Sequence, residues 1–242
     1  MKIPKVILSH KRPGRVTTLN HINDCILCVE KSQYEDYRKY YPDIEILTHP
    51  DEIKGASWKR NWIYKKFGDV FMLDDNITGV MRMYPPSGYK RPTKVSADIT
   101  TMWIDDLYHI AKYEYKVKLF GFASEPYPFI YTGAQPIQHN HFTQGRALGV
   151  IEDDKLFFEE TDTFEIEDVF IFYLNAYYHR LSICDTRIHF IKKMNTNVGG
   201  WGDLRTYENI KKNYIKMRRY FGEMINTKHS DPRYFRVTKP PY

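Results

Sequence analysis

Phe71-Met72-Leu73-Asp74-Asp75-Asn76 is an apolar run that delivers two carboxylates and an amide to its far end. These are hard oxygen ligands, the set Mg²⁺ or Mn²⁺ uses when it is bridged to a diphosphate. A cation held there would neutralise a departing nucleoside diphosphate. Asp and Asn are also favoured where a chain reverses, so a plain turn is the competing reading. Glu165-Ile166-Glu167-Asp168 precedes the apolar stretch Val169 to Tyr178. A carboxylate positioned there can take the proton of an attacking hydroxyl, with Asp168 the first candidate and Glu167 beside it. Carboxylates in a first helical turn are equally expected from the helix dipole. In Gly199-Gly200-Trp201-Gly202-Asp203 the glycines allow a backbone that folds over a ligand, and Trp201 offers a flat face to a sugar ring or a base. Packing of the loop by a core Trp is the alternative.

The elements that would position these groups are legible from the apolar pattern. Lys5 to Ser9 is a short buried-strand run that ends in the breaker-rich His10-Lys11-Arg12-Pro13-Gly14. A helix-like stretch follows at Val16 to Asn23, then strands at Cys25 to Glu30 and Ile44 to Thr48. Ser32 and Glu35 are spaced as a capping box for an intervening helix that stops at Pro42. Trp58, Trp62 and Phe67 recur at helical spacing, and Gly68 closes that helix before the strand Val70 to Leu73. Strand alternating with helix builds a mostly parallel sheet covered by helices, and such sheets bind ligands beyond the carboxyl ends of their strands. Ser9 to Gly14 and Asp74 to Asn76 both fall at such ends.

Further along, residues 84–96 are rich in Pro, Gly and Lys and read as a loop before a helix carrying Ile99, Trp103, Leu107 and Ile110 on one face. Strand-like pieces appear at Lys118 to Ala123, Phe129 to Thr132, Arg146 to Ile151 and Ile188 to Ile191. Asp162 and Glu165 are spaced as a second capping box, for the helix Val169 to Tyr178. Tyr207 to Phe221 reads as an amphipathic basic helix, with Ile210, Tyr214 and Met217 as its apolar stripe. The expected organisation is one catalytic domain over residues 1–204, with halves 1–83 and 84–204, and a basic C-terminal helix and tail over 205–242.

Composition limits the function classes. Hydrophobic residues are 42% of the 242 and aromatics 16%, which excludes a disordered chain. Cys25, Cys28 and Cys184 are too few for a disulfide framework or a closed zinc site, and the first two lie in a strand run, as buried core cysteines do. No apolar stretch approaches the ~20 residues that span a bilayer, so the expectation is a cytoplasmic protein with no membrane partner. The net charge of +6 is uneven. Residues 187–242 hold 13 Lys+Arg and 4 Asp+Glu, hence +9, and the first 186 residues carry −3. A polyanionic partner calls for such a segment, and a solvated basic face would also produce one.

The opening strand into Ser9-His10-Lys11-Arg12-Pro13, the helix bearing Lys59 and Arg60, and the acidic strand end at Asp74-Asp75-Asn76 together resemble the nucleotide-sugar-binding half of GT-A glycosyltransferases. More narrowly they resemble the phage and TET-associated enzymes that sugar-modify hydroxymethylated pyrimidines in DNA. The resemblance implies an α/β, GT-A-like fold, with a mostly parallel nucleotide-binding sheet, a mixed acceptor-side half and a basic C-terminal segment. It implies a UDP-sugar donor and Mn²⁺ or Mg²⁺ held by Asp74, Asp75 and Asn76, with a C-terminal histidine, His189 or His229, as a further ligand. Ser9, Arg12 and Arg15 would line the nucleotide pocket. Lys59 and Arg60, beside a helix N-terminus, would meet the diphosphate, unless they only solvate a helix face. His10 reads as a loop residue bonded to backbone. Asp168 takes the place of the base in the family's Glu-Asp motif. The acceptor side would be DNA, met by the +9 segment and its interleaved aromatics Tyr214, Tyr220, Phe221, Tyr234 and Phe235, in host cytoplasm if the protein is phage-encoded. A protein or glycan acceptor is the alternative, and a nucleic-acid-binding module or metal nuclease a second one.

Overall fold

Four short apolar runs become the four parallel strands the alternation predicts: β1 (Lys5–Leu8), β2 (Cys25–Glu30), β3 (Glu45–His49) and β4 (Val70–Asp74). They lie side by side in the order β3-β2-β1-β4. This is a computed structural model, and it describes residues 2–84, 92–123, 134–141, 143–192, 206–228 and 231–237. Helix α1 (Tyr34–Tyr40) connects β2 to β3, and α2 (Ala56–Phe67) connects β3 to β4, closing on Gly68 at φ 68°. The stretch expected to be helical around Val16 is one short 3₁₀ turn, Thr17–Asn20.

The second half is mixed. Strand β5 (Ile77–Arg82) leaves β4 after two residues, β6 (Thr93–Lys94) pairs with its far end, and α3 (Ala97–His109) continues through a π turn at Ile110–Glu114. Then come β7 (Leu119–Ala123), β8 (Ile137–His139), β9 (Thr143–Val150), α4 (Glu167–His179) and β10 (Ile183–Lys192). The main sheet runs β3-β2-β1-β4-β9-β7-β10-β5-β6. Strand β9 is antiparallel to both β4 and β7, while β10 is parallel to β7 and antiparallel to β5. Helix α5 (Tyr207–Phe221) forms over the predicted span. A hairpin of β11 (Ile225–Lys228) and β12 (Asp231–Val237), which the pattern did not signal, follows it as a separate sheet. The expected strand at Phe129 to Thr132 lies outside the described residues.

Residues alternate between two apolar layers, one on each face of the sheet. Ile7, Phe71, Leu73 and Phe120 pack with Ile104, Leu107 and Tyr108 of α3. Val6, Leu8, Met72 and Leu148 pack with Ile63 and Tyr64 of α2 and Phe170 and Ile171 of α4. Burial on both faces is why these strands read as continuous apolar runs instead of alternating ones. Cys25 and Cys28 are buried free thiols, pushed up by burial to about 12 and about 11, so they are core residues, as expected, and not reactive thiolates.

Both predicted capping boxes fail. Ser32 sits in a 3₁₀ turn before α1 and its hydroxyl donates to Asp51 at 2.8 Å, leaving Gln33 at the helix start. Helix α4 begins at Glu167, past Asp162 and Glu165, and the Asp162 backbone lies against Gly55, where a Cβ would come within 2.5 Å of the Asp162 carbonyl oxygen. Among the described residues no helix is long and apolar enough to cross a membrane.

Candidate functional site

Asp75 and Asn76 form the two-residue link from β4 to β5, so the turn reading is correct for the backbone. Their side chains are nonetheless buried, Asp75 to 5% exposure and Asn76 to 7%. β4 and β5 are not partners, and the link carries the chain from beside β1 to beside β10. The short 3₁₀ turn holds it: Thr18 Oγ1 donates to the Asp74 carbonyl at 2.6 Å and accepts from the Ile77 N–H at 3.1 Å.

In-register pairing of Leu8 with Asp74 brings the β1 loop to Asp75. Ser9 Oγ donates to Asp75 Oδ2 at 2.6 Å, and Arg12 Nη1 pairs with Oδ1. Since the single Ser9 hydroxyl proton faces Asp75, Tyr37 donates to Ser9 Oγ at 2.7 Å and accepts the Arg12 N–H at 2.9 Å. Burial pushes the Asp75 carboxyl up, against the pull of Arg12. Lys59, fully buried, donates to the carbonyls of Ser9 at 2.6 Å and Cys28 at 3.3 Å and so fixes the end of β1.

Arg60, 1% exposed, ties three elements together. Its Nη2 donates to Asp74 Oδ1 at 3.0 Å and to the Gly145 carbonyl at 2.6 Å, and its Nε to Glu167 Oε1 at 3.3 Å. Neither Lys59 nor Arg60 solvates a helix face, which corrects that reading: strand ends and α4 cover this side of α2. Asp74 meets a second cation, Lys192 Nζ, on its other oxygen. The antiparallel register of β10 on β5 puts Lys192 opposite Ile77, at the mouth of the β4–β5 link. Burial raises the Asp74 carboxyl, but Lys192 and Arg60 together outweigh it and hold it below the usual range. Burial pushes Glu167 up, against Arg60.

Asp168 lies across the same guanidinium. Its Oδ2 accepts the Gly145 N–H at 3.0 Å and its Oδ1 the Val169 N–H at 2.8 Å. Gly145 lets Asp168 and Arg60 approach closely: a Cβ would sit 3.2 Å from Asp168 Cβ and 3.3 Å from Arg60 Nη2, so these side chains would have to shift by a few tenths of an ångström. Asp74, Arg60, Gly145, Glu167 and Asp168 are therefore one contiguous cluster.

The structure also separates some candidates. Arg15 is exposed and donates to the Lys11 carbonyl at 3.0 Å, at the outer end of the loop. His10 pairs with the Glu30 side chain at 2.8 Å. His189 faces Met81 and bonds the Ala123 carbonyl, away from the β4–β5 link. Trp201 and His229 lie outside the described residues. Sequence reasoning missed Thr18, Tyr37, Gly145 and Lys192. Each is recruited by register or tertiary contact and carries no local motif.

The donor set can be tested against a divalent cation. Among the described residues no three His, Cys, Asp or Glu side chains converge as ligands. Both oxygens of Asp74 are on Lys192 and Arg60, and both of Asp75 on Arg12 and Ser9. A divalent cation would have to displace Lys192 or Arg60 to gain Asp74, and Arg12 or the Ser9 hydroxyl to gain Asp75, so these carboxylates as arranged do not fit one.

A family model described as TET-Associated Glycosyltransferase matches residues 3–200. No curated protein sequence matches the chain. Among solved structures the chain is similar to a cytidylyltransferase from Leptospira borgpetersenii serovar Hardjo-bovis (strain JB197), at 11% identity and a TM-score of 0.32. The match covers 63% of this chain and 60% of that one.

Proposed function

The chain belongs to the TET-associated glycosyltransferase family, and we propose from that premise that it transfers a sugar from a nucleotide sugar, a UDP-sugar first, to the hydroxymethyl group of a modified pyrimidine in DNA. The observation that carries the donor side is the joining of the β1 and β4 ends through Ser9, Arg12 and Asp75, where ligands of α/β sheets bind. Ser9 and Arg12 line the nucleotide, with Arg15 at the outer rim. Lys59 positions the β1 end. Arg60 has a buried Nη1 left over from its bonds to Asp74, Gly145 and Glu167, suited to an anionic group. By its residue type Trp201 would offer the sugar or the base a flat face. In the transfer the anomeric C–O bond breaks and its electron pair leaves on the diphosphate. The acceptor oxygen forms the new bond, and its proton passes to Asp168.

The acceptor reading rests on α5. Lys211, Lys212 and Arg219 are exposed there beside exposed Tyr207 and Tyr220, whereas Lys216 and Arg218 are paired with Glu159 and Glu223. Exposed cations interleaved with exposed aromatic rings suit a nucleic-acid backbone and an unstacked base. In this reading residues 1–204 carry out the transfer and 205–242 hold the acceptor, in the cytoplasm. A base in a duplex has to be flipped or reached through a groove.

Labelled transfer from UDP-glucose to hydroxymethylated duplex, unmodified duplex, oligosaccharide and peptide tests this. The expected result is label on the hydroxymethylated duplex alone, with DNA affinity falling linearly in log salt. Label on peptide or oligosaccharide, or no DNA binding at low salt, removes the DNA acceptor.

A further inference from the structure

Every carboxylate oxygen at the β4–β5 link already has a protein donor, and one of those donors, Lys192, belongs to a strand end that no motif marks. Three carboxylates, Asp74, Asp75 and Glu167, meet four cations: Arg12 on Asp75, Arg60 on Asp74 and Glu167, Lys192 on Asp74, and Arg146 near enough to act on Asp74. With Asp168, which closes the same cluster on Gly145, four carboxylates face four cations, so the charges already balance without an added ion. A divalent ion would add charge of the same sign beside Arg60 and Lys192, and removing a partner from a buried ion pair is costly. The electrostatic task at this position, meeting the charge that builds on a leaving diphosphate, calls for preorganised positive donors and not for a metal as such.

We propose that the Lys192 ammonium, held on Asp74 at the mouth of the site, takes the place of a divalent cation and binds the diphosphate of the donor directly. The inference rests on the donor reading above. Lys192 is a quarter exposed, whereas Arg60 is almost fully buried, so Lys192 is the cation of the pair that a ligand reaches from solvent. Lysine is a strong phosphate donor with three N–H bonds to direct, and Asp74 spends only part of that capacity. Asp74 then orients Lys192 and Arg60 and does not ligate a metal.

The test uses the full chain treated with EDTA, and calorimetry with uridine, cytidine, guanosine and thymidine diphosphates, each with and without added Mn²⁺. The expected result is binding of one diphosphate with a Kd unchanged within about 2-fold by Mn²⁺. Lys192→Met should weaken that binding at least 10-fold, and Lys192→Arg should hold it within about 3-fold. Loss of the ammonium also frees an Asp74 oxygen, so Mn²⁺ should improve diphosphate binding by Lys192→Met though not by the wild type. Paramagnetic relaxation of water protons would show the ion arriving only in the variant. Circular dichroism separates these effects from misfolding. Wild-type binding that needs Mn²⁺ overturns the inference and leaves the donor site standing. Failure to bind any nucleoside diphosphate in either condition overturns the donor reading as well.

Discussion

Asp168→Asn is expected to lower kcat about 100- to 10,000-fold, the range a positioned general base contributes, while leaving the affinity for donor diphosphate nearly unchanged. The carboxylate is held on both oxygens by backbone N–H groups, from Gly145, the third residue of β9, and from Val169 in α4. An asparagine can accept one of these bonds but must turn its amide N–H toward the other donor, so stability falls too, by about 1–3 kcal/mol for a backbone donor left unmet. Two roles therefore predict different results. A carboxylate that only anchors β9 to α4 gives a protein that melts earlier and turns over at the wild-type rate once folded. A base gives the same melting shift together with the loss in kcat. Single-turnover kinetics below the melting transition, with calorimetric titration of the diphosphate alongside, reads both quantities.

The second large effect belongs to Arg60. Arg60→Met should cost about 3–5 kcal/mol, because Glu167 and one oxygen of Asp74 are left as buried charges with a partner removed. The Gly145 carbonyl also loses its donor. For a chain of this size each kcal/mol moves Tm by about 2–4 °C, so the transition should fall by about 6–20 °C. The loss has a direction with pH. Burial already raises Glu167 in the folded protein, and without Arg60 it rises further. A carboxyl raised on folding binds a proton in the native state that the unfolded chain has released, so its penalty is greatest above the folded value and shrinks as pH falls through it. Thermal melts of the variant and wild type at a series of pH values should therefore converge toward acid. A change within about 0.5 kcal/mol at neutral pH, as surface sites give, would mean that the guanidinium carries no structural load.

The parallel half of the fold was legible because its strands are buried on both faces and so stand out as unbroken apolar runs, punctuated by Gly55, Gly68 and Pro42. The mixed half was less so: β10 extends from Ile183 to Lys192, where only Ile188 to Ile191 was apparent, since Asp185, Thr186 and Arg187 break the apolar signal while their backbone still pairs or bonds across the sheet. In the site, Asp74, Asp75, Arg60, Glu167 and Asp168 were found because each sits at an element end with a spacing that means something. Lys192 carries no such mark. It lies 118 residues from Asp74 and reaches it through the register of an antiparallel strand pair, which no local pattern encodes. Tyr37 and Thr18 were missed for the same reason, being ordinary helix and turn residues until the β1 and β4 ends are brought side by side.

That the ends of β1 and β4 form the donor site is tested most directly by hydrogen–deuterium exchange of the full chain with and without saturating uridine diphosphate. The account predicts slowed exchange in the peptides covering Ser9 to Arg15 and Asp74 to Ile77, with little change across α3. Binding that protects some other surface and leaves both of these segments exchanging at their free rates would contradict it.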